Sequence, residues 1–303
     1  MIRRGLWEER SLVKTWAMRG TLHLLAPADL ALYKAALLER SARNQELLFS
    51  RLGVNPAELE SITERVVEAL SGGECLTRKE LAARTGEARL VAGWGTFLKP
   101  ASNRGLIVFG PPRGPETTFV RADAWLGPQA GWGREEAQQQ LLRRYLTAFG
   151  PATLADFARW TGAASGWARP IWAALLPELA HVEVEGMAAW ALATDIAALE
   201  GAGESRQLRL LAGFDSWLLG HADRSLIFAR EHAPRISRTA GWISAVVAVG
   251  GRAVGVWSHR TGNRSVAVQV DLFERLDRDL QRQLKAEVAA LESFFGLPCR
   301  LAA

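Results

Sequence analysis

The sequence predicts an α+β chain: tandem helix-turn-helix units of the winged type, then a C-terminal β-rich, barrel-like domain carrying one long helix. Three observations predict it. Two stretches align without a gap 76 positions apart, a pair of short strand-like runs follows each, and the pattern changes beyond Gln207. The expected division is 1–56, a partial N-terminal unit; 57–127 and 128–200, two full units; and 201–303, the β-rich domain.

In order along the chain, residues 6–52 read as amphipathic helix, interrupted by the apolar string Gly20-Thr21-Leu22-His23-Leu24-Leu25, an edge-strand candidate ahead of Pro27. The first copy then predicts a helix over 62–70, the run Thr77-Arg78-Lys79-Glu80 through Thr85-Gly86, a third helix over 89–97, and strands over 106–109 and 117–121. The second predicts a helix over 136–149, the run Thr153-Leu154-Ala155-Asp156 through Thr161-Gly162, a third helix over 166–176, and strands over 181–184 and 188–192. In both, Thr followed three residues later by an acid is a capping-box signature, and Thr-Gly is a helix stop, because Gly takes the left-handed C′ conformation without strain. Helix, helix, helix, hairpin is the winged-helix order, in which the third helix enters a major groove and the hairpin touches the backbone. The same architecture also serves as a protein-docking module, and the pattern alone does not choose.

Beyond Gln207, residues 208–211 read as a strand, 242–249 and 252–258 as a hairpin across Gly250-Gly251, 265–270 as a strand, 272–295 as one long amphipathic helix, and 298–301 as a last strand.

Composition bounds the function. With 303 residues, 49% hydrophobic and 23% charged, the chain has the makings of two or three packed domains. Only Cys75 and Cys299 are present, so neither a disulfide framework nor a zinc site is expected, and a reducing, cytoplasmic setting is. The opening residues mix charges of both signs with no apolar core of signal-peptide length. The longest apolar stretch, 242–257, is broken by Gly250, Gly251 and Arg252 and falls short of the roughly 20 residues a membrane span needs. No membrane, cofactor or metal partner is expected.

The net charge is +5 and the pI about 9.7. Arg far outnumbers Lys, which fits a GC-rich genome as well as bidentate phosphate contacts. Distribution says more: residues 224–264 carry seven Arg (224, 230, 235, 238, 252, 260 and 264) against the single acid Glu231, a candidate phosphate-facing surface. Double-stranded DNA is the expected partner and a monomer the expected state. Arg19, His23, Arg169, Arg224, Arg230, Arg235, Arg238, Arg260 and Arg264 are the candidate contacts. His23, flanked by Leu22 and Leu24, fits a core role equally.

The most chemically loaded segment runs from Phe214 to Ser225. Asp215, His221 and Asp223 supply a general base and a water-activating group, and Arg224 a phosphate clamp. The same residues also fit structural roles, Asp215 as a helix cap and Asp223-Arg224 as a loop ion pair. No nucleophile signature, Walker loop, dinucleotide fingerprint or metal motif is present.

The strings Glu9-Arg10-Ser11-Leu12-Val13-Lys14-Thr15-Trp16-Ala17-Met18-Arg19-Gly20-Thr21-Leu22-His23-Leu24 and Phe214-Asp215-Ser216-Trp217-Leu218-Leu219-Gly220-His221-Ala222-Asp223-Arg224 together resemble the bacterial winged-helix DNA-binding family that includes interstrand-crosslink DNA glycosylases of the azinomycin-resistance type. The resemblance spans nearly the whole chain. It implies tandem winged helices and a C-terminal β-barrel clamped around DNA, with hydrolysis of the N-glycosidic bond of alkylated purines as the chemistry. In that family the catalytic motif, Gln-hydrophobic-Gln or Gln-x-Asp, lies N-terminal to the Arg-Gly-Thr-Leu-His string. Only 18 residues precede Arg19 and none is Gln. Gln138 and Gln140 have the spacing but lie in another segment with polar Gln139 between them. The expectation is therefore a DNA-binding chain of the glycosylase type that lacks the motif; a non-catalytic winged-helix regulator or docking module is the alternative. A small-molecule hydrolase built on the Asp-His-Asp-Arg segment is a third, weaker reading.

Overall fold

A computed structural model describes residues 2–302. The chain divides into two compact units, Met1–Leu192 and Ala193–Ala303, with mixed helix and strand in both.

In the first unit, helix α1 (Ile2–Trp7) precedes an antiparallel hairpin of β1 (Val13–Trp16) and β2 (Leu22–Leu25). The sequence reading placed helix across most of residues 6–19; β1 corrects it. Val13-Lys14-Thr15-Trp16 is rich in β-branched and aromatic side chains, which favour a pleated surface, and Val13 and Trp16 go into the core. Helix α2 (Leu30–Arg51) follows, then α3 (Pro56–Ala69), the two-residue strand β3 (Leu76–Thr77), α4 (Arg78–Thr85), the short α5 (Lys99–Asn103), and a hairpin of β4 (Ile107–Arg113) and β5 (Glu116–Arg121). Strand β5 lies between β3 and β4. The third helix expected over 89–97 is instead two single turns, Ala88–Leu90 and Thr96–Leu98, before α5. Gly93 and Gly95 both sit at positive φ, 63° and 78°, and stop a helix from running through.

After α6 (Ala122–Leu126), the second copy comprises α7 (Arg134–Phe149), α8 (Leu154–Thr161), α9 (Ser165–Leu175) and a hairpin of β6 (Leu179–Val184) and β7 (Met187–Leu192). Ala152 bridges to Trp190 where β3 pairs with β5 in the first copy. Both expected capping boxes form. Thr77 Oγ1 accepts from Glu80 N–H and Glu80 from Thr77 N–H; Thr153 and Asp156 do the same at 3.2 and 2.8 Å. Gly86 and Gly162 close the two helices at φ 69° and 72°. One core joins β1, α2, α7, α8 and α9; a second joins Trp16 to α3, α4 and the β4–β5 hairpin.

The second unit opens with α10 (Ile196–Glu200). Its five-stranded sheet is built from β8 (Leu208–Leu211), β9 (Val246–Val249), β10 (Arg252–Thr261), β11 (Val266–Leu272) and β12 (Cys299–Leu301), in the order β12-β11-β10-β9-β8. All pairs are antiparallel except β11–β12. The β9–β10 turn falls on Gly250-Gly251, both at positive φ (57° and 86°), a turn that suits the twist of a tight hairpin. Between β8 and β9 run α11 (Ser216–Leu219) and α12 (Ala233–Ile236). Helix α13 (Arg278–Ala290) packs Leu280, Leu284 and Val288 on the sheet, and α14 (Glu292–Phe295) follows. The single helix expected over 272–295 is thus shorter and broken. Its first residues belong to β11 or to the turn after it, and Asp277 sets the start by accepting from Leu280 N–H at 2.9 Å. Among the described residues no helix is long and apolar enough to cross a membrane.

Candidate nucleic-acid interface

The candidate residues fall into both units. In the first, the turn of the β1–β2 hairpin holds Arg19 in the left-handed region (φ 57°, ψ 10°), a conformation that L residues adopt only when surroundings impose it. Three backbone bonds impose it, Ala17 N–H to Thr21 O, Gly20 N–H to Ala17 O and Thr21 N–H to Met18 O. Arg19 Nη1 donates to Trp160 O at 2.5 Å, tying the turn to α8.

His23 stands opposite Thr15 in the hairpin register, half-buried. Its Nδ1 lies 2.9 Å from Thr21 O; a carbonyl only accepts, so Nδ1 carries the proton and Nε2 the lone pair of the neutral ring. Burial lowers the His23 pKa, and the charges of Arg19 and Lys34 lower it further. The ring is therefore held neutral, with an acceptor on Nε2. Behind the hairpin, Lys34 Nζ donates to Thr15 Oγ1 (2.8 Å), Trp16 O (2.7 Å) and Ser102 Oγ (3.5 Å). With no carboxylate to offset it, burial brings this amine down to about 7. Sequence reading did not single out Lys34; nothing in an amphipathic helix marks which lysine is enclosed. Arg169 is exposed on α9.

In the second unit, the Phe214–Ser225 segment is a loop around α11. Asp215 caps that helix, accepting from Trp217 N–H at 2.9 Å. Asp223 is exposed and accepts from Ser225 N–H at 2.8 Å; bonds from Ser225 hold its pKa below the usual carboxylate range. His221 stands edge-on to Trp217, 6.3 Å between centroids, and Trp217 Nε1 donates to Gly251 O at 2.9 Å. Arg224 Nη1 donates to Ser237 Oγ at 2.7 Å.

The basic stretch divides. Arg235 pairs with Asp271 and lies over the Phe273 ring at 4.6 Å, so an acid distant in sequence compensates its charge. Arg230, Arg238, Arg260 and Arg264 are exposed, and among the described residues none of the four pairs with a carboxylate. Arg260 is the next-to-last residue of β10 and Arg264 lies in the turn to β11, so both stand near one hairpin tip.

Sequence reading missed an aromatic pair here. Phe214 and Trp242 are 48% and 54% exposed and meet edge to face at 5.1 Å. Phe214 sits at φ 61°, and Trp242 O accepts from Arg238 N–H at 2.8 Å. Large exposed aromatic rings are the kind of surface on which bases stack.

A family model described as DNA glycosylase AlkZ-like matches residues 2–294. The chain belongs to the AlkZ-like DNA glycosylase family. The interstrand DNA cross-link repair glycosylase of Streptomyces sahachiroi is 36% identical over 307 residues, covering 96% of this chain and 82% of that protein. The solved structure of Streptomyces sahachiroi DNA glycosylase AlkZ superposes with a TM-score of 0.85 at 34% identity, covering 99% of this chain and 84% of that one. In this AlkZ-like chain Gln138 is buried on α7 (8% exposed), and Gln140 Oε1 accepts from Arg143 at 3.5 Å.

Proposed function

We propose that this chain binds duplex DNA and removes alkylated purines from it, including bases joined in interstrand crosslinks. The observation that carries the reading is the family match over residues 2–294. The uncompensated Arg230, Arg238, Arg260 and Arg264 support the partner. In this reading α3, α4 and α5 with the β4–β5 hairpin, and α7, α8 and α9 with the β6–β7 hairpin, are the winged-helix units expected over 57–127 and 128–200, the first helix starting one residue earlier. Residues 1–56 are a partial unit and 201–303 a barrel-like domain. Helix α9 would bring Arg169 to a groove. The protein works as a monomer in the cytoplasm.

A purine alkylated at N7 is cationic and leaves as a neutral base when the C1′–N9 electron pair goes to the ring. Water oxygen then bonds C1′, and its proton needs an acceptor. Asp215 and Asp223 supply carboxylates, and His221 lies on the same loop. His23 Nε2, held as a lone pair, can orient water but cannot donate to a phosphate while neutral; its assigned contact is therefore to water or a base amino group. Arg19 and Arg224 hold the backbone.

Fluorescence anisotropy on intact and N7-alkylated duplexes across a salt series tests the partner. Tighter binding to the alkylated duplex is expected, with an affinity that drops steeply as salt rises. Equal, weak binding to both duplexes would point to the regulator or docking alternative.

A further inference from the structure

Helix α2 carries a guanidinium that the interface above leaves unused. Arg40 is 6% exposed, and its Nε and Nη2 are buried without a hydrogen-bond partner among the described residues. These two donors form one edge of the guanidinium, the parallel pair that grips a carboxylate or a phosphate with two bonds. Arg89 uses that edge on Glu87, at 2.7 and 2.9 Å. Enclosing such an edge without an acceptor is costly.

Among the described residues no acid compensates it. The groups acting on Arg40 are burial and the charge of Arg19; those acting on Lys34 and Lys99 are burial alone. Other guanidinia of the same unit are handled in the opposite way, with Arg104 on Glu60, Arg143 on Glu178 and Arg144 on Asp29. Of these groups it is Arg40 whose Nε/Nη2 edge is left for an anion to complete.

We propose that the Nε/Nη2 edge of Arg40 receives a tetrahedral oxyanion, and that the anion is a phosphodiester of the bound strand. The chemistry rests on Arg40; the strand as its source rests on the DNA-binding reading. Protein covers both atoms, so binding requires the long Arg40 side chain to turn outward to meet the anion.

The first arm follows the Arg40 15Nε–1Hε resonance, assigned by its loss in Arg40→Lys, during titration with inorganic phosphate and then with duplex DNA. A saturable shift with both is expected. The second arm compares Arg40→Gln with the parent in DNA affinity across salt. Loss of one phosphate contact lowers the slope of log K against log salt by about 0.9. A resonance that moves with neither titrant overturns the proposal, as does an unchanged slope in a folded Arg40→Gln protein. A shift with phosphate alone overturns the strand assignment in favour of a free anion. Should the chain bind no DNA, the functional reading falls, while the phosphate titration still decides whether Arg40 holds an anion.

Discussion

At the residue scale, the chemistry is set by which charges have lost their water. Lys34 is enclosed without a carboxylate, and its pKa falls from the ordinary lysine range to about 7. The unfolded chain therefore holds a proton on this lysine between about pH 7 and 10.5 that the folded chain does not. Its penalty is complete below about pH 7 and relieved as pH rises toward 10.5, so stability rises with pH across that window. Thermal melts of the parent and Lys34→Met between pH 7 and 9 check this: the parent gains stability relative to the variant, by a few kcal/mol at most. A constant difference would mean that Lys34 keeps its ordinary pKa. Residue type was legible in the sequence, partnership only in part. Asp215 read both as a base and as a helix cap, and it caps α11; for Asp223 the backbone N–H it accepts from, Ser225, is a matter of loop path. Trp242 read as part of an apolar run, and its exposure follows from where β9 begins, at Val246.

Element boundaries were legible where local chemistry sets them. The Thr-x-x-acid caps at Thr77 and Thr153 and the Gly stops at Gly86 and Gly162 formed as read because each is completed within a few residues. Thr153→Ala should cost about 1 kcal/mol by freeing the first-turn N–H groups of α8, read as a lower urea midpoint at unchanged m. Gly250 is a harsher case. It sits at φ 57°, and a Cβ there would stand 2.3 Å from Ser205 O. Gly250→Ala adds a left-handed penalty of roughly 1–2 kcal/mol to a backbone clash, so the melting temperature should fall by more than in Thr153→Ala. Strand β1 was illegible because its turn begins with Arg19, not a turn residue, in the left-handed region ahead of Gly20, and its partner bonds belong to β2. The break at Gly93 and Gly95 was written in the sequence, and a reading that weighted paired glycines would have found it.

At the scale of the whole molecule, the 76-residue repeat and the change of pattern near Gln207 were legible because each copy repeats its caps, stops and hairpin. Charge compensation was not. The stretch from 224 to 264 reads as uniformly basic, but Asp271 takes Arg235 and leaves Arg230, Arg238, Arg260 and Arg264 as the free cations of that set. If Arg260 and Arg264 each meet one phosphate, the double Ala variant loses about 1.8 from the salt slope, at ~0.9 per contact. Its melting temperature should stay within a degree or so, because exposed, unpaired side chains contribute little to stability. An unchanged slope would remove the hairpin tip from the interface.

Base release from duplex DNA alkylated at guanine N7 tests the glycosylase reading most directly, using the parent, Asp215→Asn and Asp223→Asn. An Asn oxygen still accepts the loop N–H that each Asp engages, so the fold is kept while the carboxylate is lost. The account predicts release by the parent that falls at least 100-fold in one of the two variants, with DNA affinity little changed. Binding without release by the parent would contradict it and leave a DNA-binding protein with no glycosylase chemistry.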